Sequence, residues 1–168
     1  AARDIARINK GSSDTSLSDT KTSALNTITS TYNTMDDVIR VKSNPLFSNP
    51  DNAQAELLLT VPDQALTIKL KNERIALEHT LISRAARNAT LTTNGDLITE
   101  LNTLEGETQQ VKTYLDDLAL ALSKALPSGS FSQASLDGSK ASIAAARSQV
   151  SGALSSIVGA RIALNGSL

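Results

Sequence analysis

Five apolar residues stand seven apart near the C-terminus: Leu136, Ile143, Val150, Ile157 and Leu164. Each of the first four is followed three positions later by a small residue: Ser139, Ala146, Ala153 and Ala160. A period of 3.5 predicts a helix packed along its length against other helices. Ser132 is its expected N-cap, with Phe131 placed to staple onto Leu136. The helix should end near Asn165 and span about 50 Å at 1.5 Å per residue. Such a helix needs partners, and the rest of the chain supplies the same pattern.

Residues 17–42 place Leu25, Ile28, Tyr32, Met35 and Ile39 at spacings of 3, 4, 3 and 4, a heptad seam. Upstream, residues 1–10 could form a short helix with Ile5 and Ile8 on one side, ended by Gly11-Ser12-Ser13-Asp14. Ser43-Asn44-Pro45-Leu46-Phe47-Ser48-Asn49-Pro50 is the strongest breaker, since two prolines force extended or turn geometry. Leu46 and Phe47 should tuck against the bundle, and residues 51–60 read equally as a short helix or an extended crossing. A second helix is expected from near Thr60 to Asn88, with Pro62 in its first turn and Asp63 completing the cap. Leu66, Leu70, Leu77 and Leu81 form one stripe on it and Ile68, Ile75 and Ile82 another, which predicts a broad buried face. A third helix, residues 96–126, carries Leu97, Leu101, Leu104, Val111, Leu115, Leu118, Leu122 and Ala125, with Thr108 in the one polar slot. Pro127-Ser128-Gly129 should end it. No strand alternation is visible. The expected fold is all-α: a single domain, residues 1–168, forming an antiparallel bundle of four long helices with heptad seams and a short N-terminal helix. Residues 1–16 are its N-terminal arm and 43–61 a Pro/Asn-rich crossover.

Composition narrows the functional classes. Hydrophobic residues make up 40% of the 168, but aromatics only 2%. Leu, Ile, Val and Ala fill a narrow inter-helix seam, whereas a deep ligand pocket usually uses rings. The net charge is −1, with no basic face for nucleic acid. The lack of cysteine removes disulfides, thiolate metal sites and a cysteine nucleophile. No apolar run approaches the ~18–20 residues needed to span a bilayer. Abundant Ser, Thr and Asn beside modest Lys lean towards a secreted or periplasmic chain. The start, Ala1-Ala2-Arg3-Asp4, reads as a mature form or an excised segment.

No catalytic constellation interrupts the helical pattern. His79 is the sole histidine, too few for a structural zinc site without cysteine, and reads as a satisfied or exposed side chain. Asp36/Asp37 and Asp116/Asp117 are adjacent pairs whose members point about 100° apart on a helix, which suits surface solvation rather than an acid/base dyad. The Glu-x-x-His di-iron signature is missing, because Ala76 stands three before His79. Nucleophile elbows and Gly-rich phosphate loops are missing too. Asn88-Ala89-Thr90 and Asn165-Gly166-Ser167 are formal glycosylation sequons. The scattered arginines, Arg40, Arg74 and Arg147 among them, read as solvated rims, with Arg84 and Arg87 a candidate partner contact. No catalytic, metal or cofactor site is expected.

The order of features carries a resemblance. Leu17-Ser18-Asp19-Thr20-Lys21-Thr22 opens a long helix, followed by Asp36-Asp37-Val38-Ile39-Arg40 and Leu46-Phe47-Ser48-Asn49-Pro50. Then come Asn72-Glu73-Arg74-Ile75-Ala76-Leu77-Glu78, Val111-Lys112-Thr113-Tyr114-Leu115-Asp116-Asp117-Leu118 and Asp137-Gly138-Ser139-Lys140, leading to Ala145-Ala146-Arg147-Ser148. Together they resemble the helical insert of bacterial haemolysin-D-type membrane fusion proteins, the periplasmic adaptors of efflux and secretion pumps. The resemblance covers residues 17–165 and rests on order and spacing rather than on one motif. It implies a helical part of a membrane-anchored, extracytoplasmic adaptor that meets transporter components or further copies of itself. The chain departs from that family in having no strand-rich lipoyl halves and no β-barrel, so no contact residue is carried over. Two other classes fit the same pattern: an extracytoplasmic four-helix sensor domain of a signalling receptor, and a secreted structural or filament subunit.

Overall fold

A computed structural model describes residues 2–52, 54–128 and 131–167, with Ile8 described by its backbone alone. Gly129 and the Ile8 side chain, both used in the sequence reading, therefore lie outside what is described. The chain is all-α in class. Its four long helices are α1 (Ala2–Asp36), α2 (Gln64–Asn88), α3 (Leu97–Lys124) and α4 (Gln133–Ser167). No described helix is long and apolar enough to cross a membrane.

The N-terminal arm is not a separate helix. α1 runs through Gly11-Ser12-Ser13-Asp14 without a break for 35 residues. A lone helical glycine costs only about 1 kcal/mol against alanine, and Thr15 donates its hydroxyl to the Gly11 carbonyl at 2.9 Å, keeping the turn closed. Helix therefore propagates outward from the packed half of α1, although residues 2–7 and 9–16 are all exposed.

Past Asp36 the chain keeps turning as a seven-residue π-helix, Asp37–Ser43, then a 3₁₀ turn, Asn44–Leu46. Pro45 sets where the helical run stops. It has no N–H to give and its ring collides with the carbonyl four residues back, so an α-helix cannot pass it. Ser43 donates instead to the Ile39 carbonyl at 2.7 Å. Leu46 and Phe47 are buried, as expected.

The crossover is extended rather than helical. Phe47–Ser48 (β1) pairs antiparallel with Glu56–Leu57 (β2), a small hairpin that the sequence reading missed. Thr60 bridges to Leu126, which moves the start of α2 downstream. Its N-cap is Asp63, whose carboxylate accepts from the Leu66 N–H at 3.1 Å, so Thr60 and Pro62 precede the helix. Asp96 caps α3 in the same way through Thr99, and Ser132 caps α4 through the Ser135 N–H.

One apolar core draws on every helix and on the crossover. It joins Ile28, Met35 and Ile39 to Leu70, Leu77 and Leu81, to Leu97, Leu101, Leu104, Leu115, Leu118 and Leu122 of α3, and to Leu136, Ile143, Val150, Ile157 and Leu164 of α4. Phe131 packs against its edge. Phe47 and Tyr114 bring their ring centres to 6.4 Å.

Candidate functional site

Leu101, Leu104, Val111, Leu115, Leu118 and Leu122 of α3 are all buried, as are Leu136, Ile143, Val150, Ile157 and Leu164 of α4 and Ile28, Met35 and Ile39 of the first helical stretch. Leu25 and Tyr32 are half-buried against the same core. Thr108 is fully buried, its hydroxyl donating to the Leu104 carbonyl at 2.7 Å.

The second stripe on α2 is buried only at its middle, where Ile75 is half-buried against the core. Ile68 is 52% and Ile82 57% exposed. Ile68 stands two residues from both Leu66 and Leu70, a turn of about 200°, and Ile82 one residue past Leu81, a turn of about 100°, so with the leucines facing the core both isoleucines face away from it. α2 is packed on one side only. His79 lies exposed between Ile75 and Ile82.

What the sequence reading missed most is that two arginines are interior. Arg74 and Arg84 are both 0% exposed, not solvated rims. Residues 70, 74, 77, 81 and 84 step by 4, 3, 4 and 3, so both arginines stand in the leucine register; their charge hid the signal.

Arg74 donates from Nη1 to Glu78 Oε2 at 3.0 Å and from Nη2 to Asn44 Oδ1 at 2.8 Å and Asp51 Oδ1 at 3.2 Å. Arg40, on the π-helix, reaches Glu78 from the other side and Asp36 at 2.9 Å. Burial pushes the Glu78 carboxyl up, but the guanidiniums of Arg40 and Arg74 outweigh it and hold it below the ordinary carboxylate range. Beside this cluster Tyr114 donates to Ser43 Oγ at 3.0 Å, and burial pushes its phenol well up. These contacts lock the π-helix and crossover to α2 and α3.

Further clusters brace the other contacts. Lys69 Nζ reaches Asp117 at 2.6 Å and Glu73 at 3.6 Å. Burial, then the nearby Asp117, raise the Glu73 carboxyl. Arg84 holds Glu107 at 2.7 Å and Glu100 at 2.5 Å, and Arg87 adds a second hold on Glu107. The proposed partner contact at Arg84 is thus spent inside the chain. Arg147 joins Asp116 at 2.6 Å, and Arg161 joins Glu105 and Asn102. Burial raises the Asp116 carboxyl, but Lys112 and Arg147 bring it below its ordinary value.

These carboxylates are each held by a cation, an arrangement that braces helices. Among the described residues no group of three or more His, Cys, Asp or Glu is placed to hold a metal ion. The side-chain amide atoms of Asn88 are buried, so that sequon presents no free acceptor. No family model, curated protein or solved structure matches the chain.

Proposed function

We propose that this chain is the non-catalytic helical domain of an extracytoplasmic adaptor, a membrane fusion protein linking a membrane transporter to its assembly, and that it acts by rigid shape and helix–helix contact. In this reading the four helices form an antiparallel bundle with heptad positions as seams. The reversed order of the cross-helix pairs supports it: Arg147 meets Asp116, while Arg161, further along α4, meets Glu105, earlier on α3. The observation that carries the proposal is the length and projection of α1. Lys21, Leu97 and Leu164 surround one hollow at the end of the bundle. Residues 2–7 and 9–16 at the start of this 35-residue helix are all exposed, as in a rod made for reach.

The coding sequence on either side of this segment tests the reading. Flanking lipoyl-like halves with an N-terminal membrane anchor are expected. Transmembrane helices leading into a signalling module would replace the adaptor by a sensor. A signal peptide directly upstream with a stop codon directly downstream would replace it by a secreted subunit.

A further inference from the structure

Where α2 meets α3, three charged groups come together whose charges do not cancel. Lys69 Nζ lies 2.6 Å from Asp117 and 3.6 Å from Glu73. One ammonium thus spans two carboxyls, whose oxygens stand no further apart than those two distances together. The cation is half open to water, at 52%, whereas Glu73 is 23% and Asp117 17% exposed. The acids are the enclosed members of the group, and like charges held that close disfavour full ionisation of both.

The shortfall falls on Glu73. Lys69 donates to Asp117, and at 3.6 Å it makes no hydrogen bond to Glu73. Glu73 Oε2 is buried and accepts no hydrogen bond among the described residues. The cations of the neighbouring elements are engaged elsewhere. Arg74, next in sequence, holds Glu78, Asn44 and Asp51. On α3, Lys112 holds Asp116 and Lys124 holds Asp63. Lys71 holds Glu56 of the crossover, and Arg40 of the π-helix holds Glu78 and Asp36. Tyr114 of α3 faces the same place, and its buried phenol feels the Glu73 charge. Burial first, then Asp117, raise the Glu73 carboxyl, and Lys69 opposes them without prevailing. A buried ionised oxygen without a donor is costly. A proton taken from solvent removes that cost, and it gives Glu73 an O–H that the Asp117 carboxylate, still ionised beside Lys69, can accept.

We propose that Glu73 and Asp117 share one proton and with it form a latch that draws α2 onto α3 in acid and slackens when the proton returns to solvent. The sense is opposite to that of Glu78, five residues further along the same helix, whose hold on Arg40 and Arg74 is strongest when its carboxyl is ionised. Acidification therefore moves the hold on α2 from the π-helix and crossover to α3. The inference goes beyond the adaptor reading and does not rest on it.

Carboxyl NMR titration of the full chain, joined to thermal melts of three variants, tests it. Glu73 should titrate above its ordinary 4.5, and its midpoint should move down in Asp117→Asn, which removes the neighbouring charge and frees Lys69. Glu73→Gln keeps a donor and carries no charge, as the protonated acid does. It should melt about 2 °C or more above the parent near pH 7 and level with it near pH 4. Glu73→Met has no donor and should melt below Glu73→Gln near pH 4, by about 2 °C. A Glu73 midpoint at or below 4.5, a midpoint unmoved by Asp117→Asn, or a Glu73→Met variant as stable as Glu73→Gln in acid would each overturn the proposal.

Discussion

Arg84 gives up all contact with water and is compensated by Glu100 and Glu107. Removing it would leave Glu100 and Glu107 with only the partly exposed Arg87 as a cation among the described residues. Arg84→Ala should therefore cost about 3–5 kcal/mol, while Arg84→Met, which keeps the packing volume, should cost less. Urea unfolding of both variants checks this, and a loss under about 1 kcal/mol for the alanine variant would show that the cluster braces nothing. The sequence contained the position of this residue but not its role. A heptad search that counts only apolar residues steps over Arg74 and Arg84, because what makes them interior is mostly a set of acceptors from other segments: Glu100 and Glu107 for Arg84, and the Asn44 amide and Asp51 carboxylate for Arg74, beside Glu78 of its own helix. Such long-range partners have no local signature.

Helix α4 was legible almost to the residue, because its strict seven-residue repeat leaves one face for burial and Ser132 marks its start. α2 was legible only by half. Its leucine and isoleucine stripes are equally apolar in sequence, and only packing on one side separates them. Adjacent substitutions make the contrast measurable: Leu81→Lys should unfold the protein or cost about 4 kcal/mol or more, and Ile82→Lys should stay within about 0.5 kcal/mol. Val150→Asp and Ile157→Asp should behave like the first. Circular dichroism melts indistinguishable from the parent would mean the seam is misplaced. The end of α1 was the least legible element. Pro45 announced a stop, but a proline sets where an α-helix ends, not whether the preceding turns widen to π; that is decided by Arg40 reaching Glu78 and by Ser43 meeting Tyr114. Gly11 misled in the opposite direction, since a breaker acts on propensity while an established helix propagates through it.

Across the molecule, acid should loosen the braces whose carboxyls are held below their ordinary values. Glu78 is the most enclosed carboxyl held below its ordinary value of 4.5. Its contribution to stability is complete above that value and is lost as pH falls through the lower folded value. Asp116 acts in the same sense. Glu73 acts in the opposite sense: its carboxyl is raised, so its favourable contribution exists below 4.5 and is lost as pH climbs through the raised value. The net expectation is a melting temperature that falls between about pH 6 and about pH 3. Glu78→Gln should melt lower at neutral pH and show a smaller drop on acidification. An unchanged drop would mean the acid response lies elsewhere. A last consequence follows from Tyr114, sealed beneath Ser43 in a chain with no tryptophan and one other tyrosine, Tyr32. Its phenol can ionise only when solvent reaches it. In strong base the ultraviolet absorbance of this tyrosinate should appear in step with loss of helicity, so that the fold contains an optical reporter of its own opening.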